Sequence, residues 1–218
     1  MKKILSLLFV AVVLAAGCKK NDRLDWSMTG QLTDKNGGTP LGGITVQLSA
    51  KVIKNNIYSA SPVVLGTGVT AADGSYTVAF EKQNADEYVV ETVSDKLFAT
   101  TIRVSPTDMH AKKPYRLDIS VFRKSGVEVH VKNQDPGAPT SDILRLFYKG
   151  PKLDCECCNG ERMEFYGPAD TTFACNVPAG QFYKYEYTII SNFGTSVVQK
   201  LDSVKCEPDQ VMKVNVFY

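Results

Sequence analysis

The chain has no surplus of basic residues beyond its first few positions, and this limits the partners it can bind. Lysine and arginine number 25 against 23 aspartates and glutamates, and two of the lysines are Lys2 and Lys3. Without these two the counts are equal, because 25 less 2 is 23. Nucleic-acid binding needs a basic surface that displaces counterions from phosphate. The composition therefore excludes nucleic acid as a partner.

Histidine is scarce, and catalytic motifs are absent. The two histidines, His110 and His130, adjoin no nucleophile motif, and no His-Glu-x-x-His metallopeptidase motif occurs. We expect His110 in a loop and His130 on the polar face of a strand, both solvated. Paired carboxylates such as Asp86 and Glu87 serve in glycosidases, but a chain with 23 acidic residues contains such pairs by chance. The sequence thus predicts a non-enzyme with no catalytic residues, no bound metal and no cofactor.

Only one long apolar run occurs, and it stands at the start of the chain. Residues 1–17 begin with two lysines, continue through an apolar stretch from Ile4 to Leu14 and end in small residues. This order is typical of an export signal, and the stretch is too short for a stable transmembrane helix. We therefore predict that residues 1–17 are a signal peptide.

The small residues Ala15, Ala16 and Gly17 before Cys18 resemble the lipobox of bacterial lipoproteins. Alanine replaces the commoner leucine three residues before the cysteine. The resemblance implies that Cys18 becomes the first mature residue and carries a diacylglycerol thioether and an amide-linked acyl chain. Two or more acyl chains hold a protein stably on a bilayer. The alternative is an ordinary signal peptide, cut near this position without lipidation.

Residues 18–26 are polar and are expected to form a short lipidated tether, with the lipid as the only membrane anchor. Lys19, rather than aspartate, at the second mature position favours the outer membrane in the Gram-negative sorting pattern. Both faces of that membrane, periplasmic and external, stay open.

From residue 27 onward the chain alternates apolar and polar residues with a period of two. The clearest runs lie at 76–80, 117–121, 127–131 and 183–187. Short strands with one apolar face, separated by Gly, Pro, Asn and Asp, are typical of antiparallel sandwiches. We therefore predict an all-β protein of two antiparallel β-sandwich domains in tandem, transthyretin-like or immunoglobulin-like in class.

The two halves of the body echo each other. The segments SYTVAF, DEYVVETVS and YRLDISVF are followed in the second half by TTFACNV, YKYEYTIIS and MKVNVFY, and Thr92 aligns with Thr188 at an offset of 96 residues. A repeat of this length is a whole sandwich. The predicted domains are therefore 27–124 and 125–218, joined directly.

The first half also carries a sharper pattern. GQLTDKNGGTPLGGITVQLSA at 30–50 and TGVTAADGSYTVAF at 67–80 resemble the carboxypeptidase regulatory-like domain, a transthyretin-like β-sandwich. In this pattern Asp73-Gly74 closes a turn so that Tyr76 faces inward. The resemblance covers roughly 27–123 and implies a scaffold without catalytic residues, used as an accessory module on peptidases, TonB-dependent transporters and surface lipoproteins.

Glycine and proline in this pattern are expected to shape the backbone at the first turn and before the next strand. Gly37 and Gly38 are expected to tolerate positive φ in the first turn. Pro40 is expected to interrupt pairing before the next strand, in which alternate apolar residues enter the core.

Five cysteines remain if Cys18 is lipidated, and all are in the second half. They are Cys155, Cys157, Cys158, Cys175 and Cys206. An exported chain meets an oxidising compartment in which cysteines pair, and five leave one over. We expect two disulfides that join the 155–158 segment to Cys175, on a strand, and to Cys206, in the loop before the last strand.

The segment LDCECCNG at 153–160 ends in Asn-Gly, which predicts a two-residue hairpin. On such a strand Cys155 and Cys157 face one way and Cys158 the other, so the three thiolates do not converge on one tetrahedral metal. A zinc or copper site, a redox role and a vicinal bridge between Cys157 and Cys158 remain the alternatives.

The aromatic residues allow a binding platform, but their spacing favours the core. The only tryptophan, Trp26, is expected to close the first sandwich rather than to form a glycan platform. Tyr183, Tyr185 and Tyr187 share one face at strand spacing, and we expect them in or beneath the core.

Together these patterns favour a protein that works by binding. The first domain is expected to be a rigid spacer on the membrane anchor, and the second to present loops or a sheet face to a partner. The expected partner is a protein of the cell envelope, for example an outer-membrane transporter to which this chain is accessory. Direct binding of extracellular glycan is one alternative, and copper or zinc binding by the second-domain cysteines is another.

Overall fold

The computed structural model describes residues 26–54, 57–59, 61–111, 113–135, 137–149, 162–191 and 194–218. Two β-sandwiches follow one another along this part of the chain, each with its own hydrophobic core. The predicted all-β class, with two sandwiches in tandem, is confirmed. Within the described ranges, no helix is long and apolar enough to cross a membrane.

The N-terminal sandwich is formed by two sheets and one short helix. Its elements are β1 (Trp26–Asp34), β2 (Thr45–Lys54), β3 (Ile57–Tyr58), β4 (Val63–Val69), β5 (Ser75–Phe80), β6 (Ala85–Val93), β7 (Thr101–Val104), α1 (Pro106–Ala111), β8 (Tyr115–Arg116) and β9 (Ile119–Val121). In one sheet β1 lies between β5 and the pair β8 and β9. In the other, β2 pairs with β3, β4 and β6, and β6 pairs with β7.

The C-terminal sandwich repeats this plan with fewer strands. Its elements are β10 (Lys124–Lys132), β11 (Ile143–Tyr148), β12 (Met163–Tyr166), β13 (Asp170–Pro178), β14 (Gln181–Ser191), β15 (Ser196–Cys206) and β16 (Val211–Phe217). One sheet has the order β13-β10-β16, and the other has the order β12-β11-β14-β15.

The sheets are mainly antiparallel, as predicted, but each sandwich also contains parallel strand pairs. Strand β1 runs parallel to β8 and β9, and β10 runs parallel to β16. In both sandwiches the first strand therefore lies between an antiparallel neighbour and the last strand of the same sandwich. Alternation along a strand indicates which face is buried but not the direction of its neighbour, so the sequence pattern did not reveal this pairing.

The predicted apolar faces form the two cores. Val78 and Phe80 are fully buried on β5. Val127, Val129 and Val131 are fully buried on β10. Each buried aliphatic or aromatic side chain of this kind contributes about 1.5–3 kcal/mol to folding, so these alternating strands hold the layers of each sandwich together.

Strand β4 closes one side of the N-terminal sandwich. It belongs to the sheet of β2, yet a Cβ on Gly66 would lie 2.4 Å from the carbonyl oxygen of Ala79 on β5. A Cβ on Gly68 would lie 2.3 Å from the carbonyl oxygen of Thr77. The two glycines therefore let the backbones of the two sheets approach each other directly, which a larger residue would prevent.

The turn expected at Asp73-Gly74 is present and orients Tyr76 inward. The Asp73 carboxylate accepts hydrogen bonds from the Ser75 hydroxyl at 2.6 Å and the Ser75 amide at 3.0 Å, and the hydroxyl bond in particular lowers the pKa of Asp73. Gly74 has φ of 78°. Tyr76 is buried and donates to the carbonyl oxygen of Leu117 at 2.6 Å. In the first turn Gly38 has the expected positive φ, whereas Gly37 does not.

The two sandwiches adjoin around Arg123. The Ala179 amide donates to the Arg123 carbonyl oxygen at 2.9 Å, and the Arg123 guanidinium pairs with Asp209 at 2.6 Å. Across the same junction the Asn36 side-chain amide donates to the Ala179 carbonyl oxygen at 2.5 Å. Strand β10 begins one residue after Arg123, so backbone and side-chain bonds connect the sandwiches without an intervening linker.

Candidate interaction surface

The structure tests the predictions for only some of the cysteines. Cys18 and the cysteines at 155, 157 and 158 lie outside the described residues. Cys175 lies on β13 opposite Val127. Its sulfur is engaged in a bond, so it is not a free thiol. Its side chain shares the face of buried Val127, so this face of the strand points toward the core.

Cys206 corrects the expectation of a disulfide at this position. It is the last residue of β15 rather than a loop residue, and it is a free, fully buried thiol. Its sulfur donates to the Val204 carbonyl oxygen at 3.7 Å. Cys206 packs with the core of the C-terminal sandwich beside Tyr183. It faces inward because it shares one face of β15 with Val204, which packs against the same core.

The burial of Cys206 predicts a masked thiol. Burial raises its pKa above the ordinary value, and only the thiolate reacts quickly with alkylating agents. We expect no modification of Cys206 when the native, unreduced protein is treated with iodoacetamide, and complete modification after denaturation. Peptide mass mapping of the two samples measures this. Equal modification of Cys206 in both samples would contradict the buried position.

The histidines differ in environment. His110, expected in a loop, lies in α1, where its Nε2 is 2.9 Å from the Tyr88 hydroxyl and its ring is 5.1 Å from that of Trp26. Burial, with a smaller contribution from the Lys82 charge, lowers the pKa of His110. His130 contacts the Asp170 carboxylate at 2.7 Å. These contacts give both rings structural roles.

The carboxylate pair considered for acid–base chemistry lacks the required electrostatics. Glu87 binds Lys51 at 3.0 Å and Arg103 at 2.6 Å, and the hydrogen bond from Lys51 is the main cause of its lowered pKa. A general acid needs a carboxyl whose pKa is raised. Among the described residues, no three His, Cys, Asp or Glu side chains are grouped closely enough to hold a metal ion.

Trp26 is half-buried at the start of β1 and packs against the N-terminal core. His110 covers one side of its ring, and the ammonium groups of Lys82 and Lys113 lie 5.0 and 5.7 Å from its centre. Cation–π contacts of this kind stabilise a closed arrangement. The expectation that Trp26 closes the first sandwich is confirmed.

The tyrosines of β14 form a stacked row inside the C-terminal sandwich. Tyr183 and Tyr185 are buried, and their ring centres are 5.7 Å apart. Tyr148 stacks on Tyr183 at 5.2 Å, and Tyr187 stacks on Tyr185 at 6.3 Å. Burial raises the pKa of Tyr183 to about 12. The row is core, as expected, and is not a platform for sugar rings.

The outer face of the same sheet has an apolar row that crosses all four strands. Directly opposed residues in neighbouring strands point to the same face. Tyr166 of β12 pairs with Ile143 of β11, which pairs with Ile190 of β14, which pairs with Val197 of β15. We call these four residues the outer strip. Tyr166 is 53% exposed and Val197 is 61% exposed.

Ion pairs lie beside the outer strip in the next row of the sheet. The Glu164 carboxylate binds Arg145 and Arg162, each at 3.0 Å, and accepts a hydrogen bond from the Tyr166 hydroxyl. This last bond is the main cause of the lowered pKa of Glu164. An apolar centre bordered by polar and charged groups is the usual composition of a protein-binding surface.

Strand β15 forms the edge of this sheet. It has 11 residues and pairs, within the described residues, with β14 alone. Residues 197–203 are exposed on both faces, and Leu201 is 71% exposed. Long, flat edge strands that carry exposed apolar residues are templates for pairing with another chain. The edge and the outer strip therefore make this sheet the candidate interaction surface.

Comparisons with known proteins add only distant likenesses. No family model matches the chain, and no curated protein matches it. The Bacillus anthracis TIE protein is 10% identical over 88% of this chain, with a TM-score of 0.35. The chain spans about a third of that protein, 34%.

Two pilins are similar at the same level. The minor pilin GBS52 of Streptococcus agalactiae is 11% identical over 88% of this chain and 94% of its own, with a TM-score of 0.31. The shaft pilin SpaA of Lactobacillus rhamnosus GG is 12% identical over 88% of this chain and 96% of its own, with a TM-score of 0.33. Scores this low carry no argument about function, and the two sequence resemblances given above stay predictions.

Proposed function

We propose that the protein is a lipid-anchored, non-catalytic interaction module of the cell envelope, and that the outer strip binds a partner protein. The observation that carries the proposal is the apolar row across four strands, exposed at both of its ends. Each apolar side chain that a partner covers there adds about 25 cal/mol per Å² of buried surface. A monomer derives no benefit from leaving such a row in water.

Protein binding fits this surface better than glycan binding. Sugar platforms use exposed aromatic faces, but the rings of Trp26, Tyr183 and Tyr185 are covered by other side chains. The outer strip has three aliphatic residues and one tyrosine, whose hydroxyl is engaged by Glu164. The buried centre of a protein interface is more apolar than the surrounding surface and contains few charged residues.

Along the chain, the proposed anchor comes before the first sandwich and the outer strip lies in the second. The proposed lipid on Cys18 and the proposed tether lead into β1, whose first residue, Trp26, is also the last residue of the predicted tether. The outer strip belongs to the second sandwich. The N-terminal sandwich then acts as a spacer that holds the surface away from the membrane. An outer-membrane transporter, to which this chain would be accessory, is the specific partner that we propose.

The remaining cysteines are proposed to stabilise the sandwich that carries this surface. With Cys206 free and Cys175 engaged, we propose that Cys175 is bonded to one of the three cysteines at 155, 157 and 158. The other two then form the second disulfide. A native disulfide typically contributes about 2–4 kcal/mol.

Site-specific photocrosslinking tests the surface in intact cells. A benzophenone amino acid at Tyr166 is expected to crosslink the chain to one envelope protein, and the substitution Ile190→Lys elsewhere in the strip is expected to abolish that product. The matched control places the same probe at Asn215, which is exposed on the other sheet of the same sandwich.

The outcomes separate the candidate functions. No crosslinked protein at Tyr166, or equal products at Tyr166 and Asn215, would overturn the proposed surface. Retention of the chain on cell-surface polysaccharide that is unchanged by Ile190→Lys would favour the glycan alternative instead.

A further inference from the structure

The charged residues of the edge strand β15 are spaced so that two antiparallel copies of the strand would place opposite charges against each other. Lys200 and Asp202 flank Leu201, and all three side chains are exposed. In the pairing with β14, Lys200 lies opposite Tyr187 and Asp202 opposite Tyr185, whereas Leu201 lies opposite Glu186. The two charges therefore project on one face of the sheet and Leu201 on the other.

Charges at the edge of a sheet usually prevent edge-to-edge pairing, because a like charge on the approaching strand repels them. Here the spacing has the reverse effect. When two copies of β15 pair antiparallel with Leu201 on the two-fold axis, residue 201 faces its own copy and residue 200 faces residue 202. Each Lys200 then meets the Asp202 of the second copy, so the pairing contains two ion pairs and places no like charges directly opposite each other.

Both charged groups are already oriented in the single chain. The Lys200 ammonium lies 5.8 Å from the centre of the Tyr187 ring. The Asp202 carboxylate accepts hydrogen bonds from the Tyr185 hydroxyl at 3.1 Å and from the Ser203 amide at 2.7 Å. Groups that are held in place lose less conformational entropy when they form an ion pair.

The same register brings apolar residues together. The two Leu201 side chains, 71% exposed in the single chain, face each other directly on the outer side of the sheet. On the inner side Val198, which is 43% exposed, faces Val204 of the second copy. Directly opposed apolar pairs of this kind stabilise antiparallel strands.

We propose that the protein forms a two-fold dimer by antiparallel pairing of β15 with β15 of a second copy, centred on Leu201. Pairing of this kind is isologous, so it closes after two copies. The four-stranded sheets of the two copies become one continuous sheet, with both outer strips on the same side. The inference concerns the edge of the sheet and does not depend on the partner proposed for the outer strip.

Charge exchange tests the register in the full chain, purified in detergent. Light scattering with the detergent mass subtracted is expected to give twice the mass of one chain. The substitutions Lys200→Asp and Asp202→Lys, each alone, place like charges opposite each other and are expected to give the mass of one chain. The double variant restores opposite charges and is expected to recover the dimer. Protection of buried Cys206 from iodoacetamide in the native state shows that the C-terminal sandwich of each variant is folded.

Cysteine trapping tests the two-fold axis independently. Directly opposed Cα atoms in antiparallel strands are about 4.5–5.5 Å apart, within the range of about 4.4–6.8 Å that a disulfide spans. Under mild oxidation Leu201→Cys is expected to form a covalent dimer with itself. Gln199→Cys faces residue 203 of the second copy, so it is expected to do so only when mixed with Ser203→Cys.

Three results would overturn the proposal. They are the mass of a single chain for the natural protein, failure of the double charge variant to restore the dimer, and covalent dimers of Gln199→Cys alone in the same yield as those of Leu201→Cys. Loss of crosslinking at Tyr166 with an intact dimer would instead count against the partner surface alone.

Discussion

Replacing Gly30 with alanine is expected to lower the free energy of unfolding of the N-terminal sandwich by about 3 kcal/mol or more. A Cβ at this position would lie 1.7 Å from the Leu117 carbonyl oxygen, which is backbone and has no rotamer by which to move away. The same oxygen accepts the hydrogen bond of the buried Tyr76 hydroxyl. Displacing the strand would therefore break that bond as well as the packing of β1.

Trp26 makes this prediction measurable for one sandwich at a time. It is the only tryptophan and lies in β1 of the N-terminal sandwich, so its fluorescence during urea unfolding reports on that sandwich. The matched control is Gly37→Ala, where the nearest atom is the Thr39 hydroxyl at 3.5 Å. We expect this control to change stability by about 0.5 kcal/mol or less. Equal losses in the two variants would show that Gly30 has no special steric role.

Substituting Cys18 with serine is expected to remove all fatty-acid label from the protein and to release it from the membrane fraction. Serine has no thiol for the thioether, and a chain without acyl groups loses about 0.8 kcal/mol of membrane affinity for every methylene that is no longer buried. Growth with radiolabelled palmitate, followed by fractionation and immunoprecipitation, measures both effects.

The control for this experiment keeps the lipid and changes the membrane to which the protein is sorted. Lys19→Asp leaves Cys18 intact, so the label should persist while the protein moves from the outer to the inner membrane. Label on Cys18→Ser, or none on the natural chain, would contradict the anchor. In the second case the interaction surface stands, but its location at the membrane does not.

The sequence predicted local features of the fold well, because they depend on neighbouring residues. The buried face of β5 and the turn at Asp73-Gly74 follow from alternation and from the conformational freedom of glycine. Helix α1 was missed because six residues are too few to show a helical period. Its start is nevertheless visible in retrospect, since the Ser105 hydroxyl accepts from the Asp108 amide at 3.1 Å, as in an N-cap.

The candidate site was harder to predict because it depends on register. Strand β15 shows no clear alternation, since an edge strand that is exposed on both faces has no buried side to mark. The outer strip joins Tyr166, Ile143, Ile190 and Val197, which are separated by long stretches of sequence and meet only through the pairing of four strands. For the same reason the sequence predicts a loop at Cys206, whereas the residue ends β15 and faces the core.

The junction at Arg123 has a mechanical consequence. The Asn36 bond to Ala179 and the Arg123 pair with Asp209 fasten the sandwiches at separate points, so a force applied to the second sandwich is not absorbed by swivelling between them. A load applied to the C-terminal sandwich would therefore be transmitted through the N-terminal sandwich to β1, and the two cores would resist it together.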